Sequence, residues 1–429
     1  MITNTHDSDV DYESFENVIL EFSGPDNVKD VIANLEKRRE NVLSGGVNCI
    51  PLPFERFRAE IPGIEQEQYV IVSANQKVGK TNLADFIYVF NVLDYCFEHP
   101  ESCSCHIIYF SLEESVQKVI ERYMSHLLFK LDGERIAPTD LRSTSSDYPV
   151  PQEAIELLKS PRYQERLDFF TKNVQFETED TNPTGILRVC EEYAKKVGDY
   201  RTHKATSRGD WTKEVEVFDS YTQYDPNHYK IVIFDHVGLV DREQGFRTKE
   251  AVDKLSEYCV KYLRNRYRFT CVGIQQQASD AEGLEAIKQK KMLPAAATLS
   301  DSKYTARDAD LVLGLFDPSK FGLNSWLGYK IQDPDGSGLR NYGRFMYVIA
   351  NRNGEMGGVC PLFFDGAVCN FEELPLPSDV NAISAYYTKA QTLKSYRQKK
   401  KLSALTLPLL VNKDGRESII SDFFRRRGE

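Results

Sequence analysis

Apolar residues in this chain gather in short unbroken runs separated by stretches with helical spacing. That is the pattern of strands buried on both faces and joined by crossover helices. The runs are Val70-Ile71-Val72, Ile107 to Phe110, Val174-Gln175-Phe176, Ile231 to Phe234, Cys271 to Ile274 and Leu311 to Leu315. They predict successive strands of a mainly parallel sheet with helices on both faces, a doubly wound α/β fold. Arg344 to Ile349 and Cys360 to Phe364 predict an added hairpin region. Ahead of the sheet, Val28, Val31, Ile32, Leu35, Val42 and Leu43 recur at helical spacing and predict one amphipathic helix over 27–43, ended by Gly45-Gly46. Its apolar stripe needs cover from its own domain or from a neighbouring subunit.

These patterns divide the chain into an acidic, mobile segment over 1–26, a linker helix over 27–46, one large α/β domain over 47–376 and a basic, helix-prone tail over 377–429. Two connections exceed ordinary length, the polar stretch from Gly198 to Tyr229 and the segment from Ser279 to Ala297. Both are candidate insertions or binding loops.

Composition narrows the class. The 429 residues are 41% hydrophobic and 28% charged, which fits a soluble globular chain with a substantial core. No apolar run approaches the roughly 20 residues that cross a bilayer, and the acidic start lacks the features of a signal peptide, so a cytosolic chain without membrane contact is expected. Nine cysteines without framework spacing read as reduced thiols. Cys96, His99, Cys103, Cys105 and His106 are close enough in sequence to supply zinc ligands, but their spacing matches no familiar zinc pattern, and loop cysteines are the expectation. The net charge of −10 excludes a uniformly positive surface, yet leaves room for nucleic acid bound in a channel or loop. Basic residues concentrate at Lys288, Lys290 and Lys291, over 394–401, and at Arg425 to Arg427.

The chemistry begins at Ala74-Asn75-Gln76-Lys77-Val78-Gly79-Lys80-Thr81, which follows the run Tyr69 to Ser73 and precedes a helical pattern over 82–93. This context predicts a phosphate-binding loop. Its backbone N–H groups and the positive end of the next helix would surround a phosphate, while Lys80 reaches the β and γ oxygens and Thr81 holds Mg²⁺. The usual first glycine is Ala74 here, which keeps the spacing but removes freedom at a tight turn.

Ligands of doubly wound sheets sit beyond the carboxyl ends of the strands, so the residues after each run are the next candidates. Glu113, in Ser111-Leu112-Glu113-Glu114, is expected to activate the attacking water. Asp235, at the tip of Ile231 to Phe234, is expected to complete the Mg²⁺ environment with Thr81; His236 beside it reads as a local hydrogen-bonding residue. Among Gln275, Gln276 and Gln277, Gln276 is the preferred γ-phosphate sensor, with Gln275 close behind. Arg352, after the strand Phe345 to Ile349, would reach a phosphate bound by another subunit.

Taken in order, these motifs resemble the ATPase domain of DnaB-type replicative helicases, hexameric RecA-fold motors that move on single-stranded DNA. Pro51 to Gly63 is similar to the leading segment of that domain, Ala74 to Thr81 to its phosphate loop, and Phe110-Ser111-Leu112-Glu113 to its Phe-Ser-Leu-Glu motif. Ile233 to Leu239, Gly273-Ile274-Gln275-Gln276, Asp301-Ser302 with Arg307-Asp308-Ala309-Asp310, and Asn351-Arg352-Asn353-Gly354 with Gly357 and Phe363 to Phe371 continue the resemblance, which covers 47–373. It implies ATP and Mg²⁺ as ligands and a homo-oligomer, normally a hexamer, in which the linker helix docks on the adjacent subunit. It also implies a channel loop whose Lys288, Lys290 and Lys291 contact single-stranded DNA, a primase or helicase loader as partner, and a cytoplasmic location. Two departures stand out. The family places a lysine two residues before the finger arginine, where this chain has Ala350, and residues 1–46 hold no counterpart of the helical domain that recruits primase. A virus-encoded or otherwise divergent member fits both, and the location would then be the host cytoplasm.

The leading expectation is therefore a ring-forming, ATP-driven DNA helicase. The alternatives are a RecA-like recombinase or remodelling ATPase that does not unwind, and a DNA-binding or virion-associated structural protein whose ATP site has decayed.

Overall fold

The computed structural model describes residues 28–206, 214–278, 292–333 and 336–393. They fall into two compact units. The first comprises residues 1–113, 168–316 and 345–360, and the second 114–167, 317–344 and 361–429.

In the first unit, helix α1 (Val28–Leu43) precedes strand β1 (Tyr69–Ala74), which leads into helix α2 (Lys80–Ala84). The helical path continues through a π-helical stretch, Asp85–Phe90, and then Asn91–Glu98. Strands β2 (Ser104–Ser111) and β3 (Val174–Glu177), helix α3 (Pro183–Val197), and strands β4 (Gly198–Thr206) and β5 (Glu214–Gln223) follow. The remaining elements are β6 (His228–Asp235), helix α4 (Thr248–Tyr258), β7 (Thr270–Gln276), helix α5 (Tyr304–Asp308), β8 (Leu311–Phe316) and β9 (Gly343–Asn351). Sheet neighbours run in the order β9-β8-β1-β7-β6-β2-β3. Only β9 within this set is antiparallel to its neighbour.

Every strand that sequence pattern placed in the sheet is there, and the reason is visible in burial. Val70, Ile71, Val72, Ile107, Ile108, Ile231, Val232 and Ile233 are all fully buried, so neighbouring positions pointing to opposite faces are both covered. On one face Ile71, Ile108, Phe110, Val232, Phe234 and Cys271 pack against Ile186, Leu187 and Cys190 of α3 and Val252 and Leu255 of α4. Each such side chain removed from water contributes about 1.5–3 kcal/mol. Gly273 lies where a Cβ would approach Ile71 Cδ1 to 2.8 Å, a close approach of strand and neighbour that excludes larger residues.

Two expectations change. The polar stretch from Gly198 is a β-hairpin, β4 paired antiparallel with β5, with a register shift at Arg201/Thr202. Its inner residues Tyr200, Phe218 and Tyr221 set their rings around Tyr267. The cysteines are not all loop residues. Cys96 lies within a helix, Cys105 lies in β2, and the buried Cys96 and Cys103 sulfurs lie 3.4 Å apart. His106 stacks on Tyr193 at 4.1 Å instead of joining them, and no metal-binding group of three His, Cys, Asp or Glu occurs among the described residues. Helix α1 forms as expected, yet Val28, Leu35 and Leu43 on its apolar stripe are 75%, 62% and 68% exposed. The segment 279–291 and the tail beyond 393 lie outside the described residues.

The second unit carries the helix Val116–Asp132, strands β10 (Val359–Asp365) and β11 (Asn370–Glu373) in antiparallel pairing, and the helix Val380–Thr392. A buried bidentate pair fixes Arg135 to Asp365, with guanidinium to carboxylate distances of 2.5 and 2.7 Å.

Candidate nucleotide-binding site

The site grows from the carboxyl end of β1. Ala74 is the last residue of that strand, paired with Leu315 of β8 and Gln276 of β7, so its backbone is extended and a glycine's freedom is not used there. The tight turn expected at Ala74 falls later. Lys77 has φ of +60° and Gly79, which caps α2, has φ of +107°, a region that favours glycine. This is why alanine is tolerated at the first position of the loop.

The loop brings Lys80 and Thr81 to the first turn of α2. Thr81 Oγ1 donates to Asp235 Oδ1 at 3.1 Å, across more than 150 residues of sequence. Asp235 is 2% exposed, and its other oxygen accepts from Tyr109 Oη at 3.4 Å; the same hydroxyl reaches Asp85 Oδ1 at 3.0 Å. Lys80 Nζ stands 3.7 Å from Glu113 Oε2. Glu113 is fixed through its backbone, since Leu112 and Glu113 both donate to the Asp235 carbonyl, at 2.9 and 3.1 Å. Lys80, Thr81, Glu113 and Asp235 are thus brought together at one end of the sheet.

His236 takes a more specific place than sequence suggested. Its Nδ1 accepts from Gly238 N at 3.2 Å, and its Nε2 lies 3.9 Å from Glu113 Oε2. Burial, reinforced by Lys80, lowers its pKa below the ordinary value and keeps the ring neutral near neutral pH. The signal for this neighbour of Glu113 was only its position after Asp235.

The three glutamines divide clearly. Gln275 is fully buried, with its amide donating to Ser302 O at 2.8 Å and accepting from Thr305 Oγ1 at 2.6 Å. Gln277 is also buried and donates to Ser73 Oγ at 2.9 Å while accepting from Thr298 Oγ1. Gln276, half-buried and opposite Ala74 in the ladder, keeps its side chain outside this network.

Arg352 does not join this group. It follows β9, which runs antiparallel, and so lies at the opposite end of the strands. There Asp310 accepts Tyr69 N at 2.9 Å, binds Arg264 Nη1 at 2.7 Å, and pairs with Arg352 Nη1 at 3.3 Å. The length of β1 alone, about 17 Å at 3.3 Å per residue, separates Tyr69 from the phosphate loop. Lys288, Lys290 and Lys291 lie outside the described residues.

One observation tests whether a phosphate fits. Asn75 is 1% exposed within the loop that leads to Gly79 and Lys80, and its Nδ2 is a buried donor with no hydrogen-bond partner among the described residues. A donor set of loop amide, lysine ammonium, threonine hydroxyl and buried carboxylate suits a phosphate with a divalent cation.

No protein-family model and no curated protein sequence matches the chain. Solved structures do. One of them, an ATPase domain, aligns with a TM-score of 0.55 at 13% identity, covering 82% of this chain and all of that one. A DnaB-like replicative helicase, solved with its interactions with primase, aligns at 0.54 and 12% identity over 82% of this chain and 67% of its own. With the strand order and the site above, these alignments give the chain the RecA-like fold of DnaB-type helicase ATPase domains.

Proposed function

We propose that the chain is an ATP-driven helicase that translocates on single-stranded DNA as a ring of identical copies during DNA replication. The observation that supports this best is the convergence of Lys80, Thr81, Glu113 and Asp235 at one end of the strands with Arg352 held at the other. An arginine so far from its own phosphate loop can complete only a neighbour's site, which is the arrangement of a head-to-tail ring.

In this reading Lys80 and the loop N–H groups bind the β and γ phosphates. Mg²⁺, when bound, supplies charge neutralisation, and we assign Thr81 and Asp235 to hold it. Glu113 orients the attacking water and accepts its proton; neutral His236 on its flank adds no cation beyond Lys80. Gln276 senses the γ-phosphate, since Gln275 and Gln277 are committed to buried partners. Arg352 exchanges Asp310 for the neighbour's phosphate and stabilises the charge that develops there. The exposed stripe of α1 docks on an adjacent copy. Lys288, Lys290 and Lys291 contact the DNA backbone, and a primase or loader is the partner class.

The test is ATP turnover with and without single-stranded DNA, for wild type and Lys80→Ala, alongside mass in solution and strand displacement on a forked substrate. DNA-stimulated turnover, loss of about a thousandfold or more in the variant, and an assembly larger than a dimer are expected. Turnover without strand displacement would leave an ATPase that does not unwind. Unchanged turnover in Lys80→Ala would end the reading.

A further inference from the structure

The end of β9 next to Arg352 offers no second cation. Ala350 packs toward the core, and Asn351 and Asn353 are neutral. The backbone of a second arginine nevertheless lies beside it. Arg352 Nη2 donates to the carbonyl of Arg307 at 3.1 Å, which places the end of α5 against the finger.

Arg307 is exposed, yet it is oriented on two sides. Its Nε donates to Asp308 Oδ1 at 3.0 Å, and Asp308 is itself anchored by Ser256 Oγ at 3.0 Å on its other oxygen. Its guanidinium carbon sits 4.4 Å from the centre of the Tyr304 ring. The two Nη groups make no hydrogen bond among the described residues, although the side chain is 68% exposed. A solvated arginine has no need of such fixing, whereas a planar fork held by its Nε and its face, with both amino groups outward, is prepared for phosphate oxygens.

Resting on the motor reading, we infer that Arg307 is a second trans-acting cation, which contacts the triphosphate bound by the adjacent copy together with Arg352. Two guanidinium groups, Arg352 and Arg307, would then share the charge of a triphosphate. No covalent step is added. Arg307 stabilises charge and fixes the phosphate chain, while Asp308 and Tyr304 are positioning residues that hold its plane.

The full chain tests this through Arg307→Ala and Arg307→Lys, each compared with wild type for kcat, KM for ATP, single-stranded DNA affinity and assembled mass. Arg307→Ala should lose about tenfold to a hundredfold in kcat with assembly and DNA affinity intact, and Arg307→Lys should recover part of the loss. Lys80→Ala copies, which keep Arg307, are then mixed with Arg307→Ala copies. Turnover per intact phosphate loop should rise above that of Arg307→Ala alone, because the donor and the acceptor site sit on different copies. Wild-type kcat in Arg307→Ala, or no recovery on mixing, overturns the inference. So does a defect confined to DNA affinity, which would make the nucleic-acid backbone the partner of Arg307. If Lys80→Ala turns over like wild type, the motor reading itself has failed, a result separate from any behaviour of Arg307.

Discussion

Lys230 shows how much a single side chain can set against the fold. It is 1% exposed in β6, its Nζ donates to Tyr221 Oη at 2.8 Å, and no carboxylate pairs with it among the described residues. Burial, then the charge of Arg268, lowers its pKa from the ordinary 10.5 to about 7, against a smaller upward pull from Glu67. The unfolded chain holds this proton up to about 10.5 while the folded chain releases it near 7, so between those values the unfolded state binds more protons and stability rises with pH. Lys230→Met should therefore raise stability by about 1 kcal/mol or more near pH 6, and the advantage should shrink as pH climbs toward about 9. Urea midpoints of both proteins across that range measure it; a constant difference would contradict the titration. Neither this lysine nor the division of labour among Gln275, Gln276 and Gln277 was legible in sequence. Three consecutive amides look alike until their partners, Thr305, Ser302, Ser73 and Thr298, are known.

At the scale of elements, what sequence revealed depended on the kind of burial. Strands β1, β2, β6, β7 and β8 announce themselves because covering on both faces demands continuous apolar runs. The hairpin β4–β5 did not, because its outward residues Arg201, Lys204, Glu214 and Asp219 interrupt the inner Tyr200, Phe218 and Tyr221, and the mixture reads as a polar loop. The residues that converge at the candidate site were legible because each lies on a segment that leaves the end of a readable strand. Arg307 was missed as a candidate because it lies on a five-residue helix with no periodicity of its own. Helix α1 was readable, and its consequence can be measured. Val31→Asp with Leu35→Asp should reduce the assembled mass while changing monomer stability by no more than about 0.5 kcal/mol, since both side chains are already in solvent. Sedimentation and thermal melting separate the two effects, and a large loss of melting temperature would mean that the stripe is covered within its own chain.

For the whole molecule, the decisive feature is that the phosphate loop and Arg352 occupy opposite ends of the same strands. Sequence order gave no measure of that separation, because Arg352 is far from Lys80 in the chain whichever end it occupies. Under the proposed function, a copy built this way is half of two different machines. It holds a lock without its own key, and its key fits only the next copy along. On that proposal the molecule encodes a head count in its chemistry: an isolated copy is silent, and an open row always ends in one idle site. Specific ATP turnover should accordingly fall on dilution more steeply than nucleotide binding does, and a dilution series with matched mass measurements would read the difference. In the proposed ring, closure removes the idle end, so the reward for completing a circle would be written into the direction of the strands.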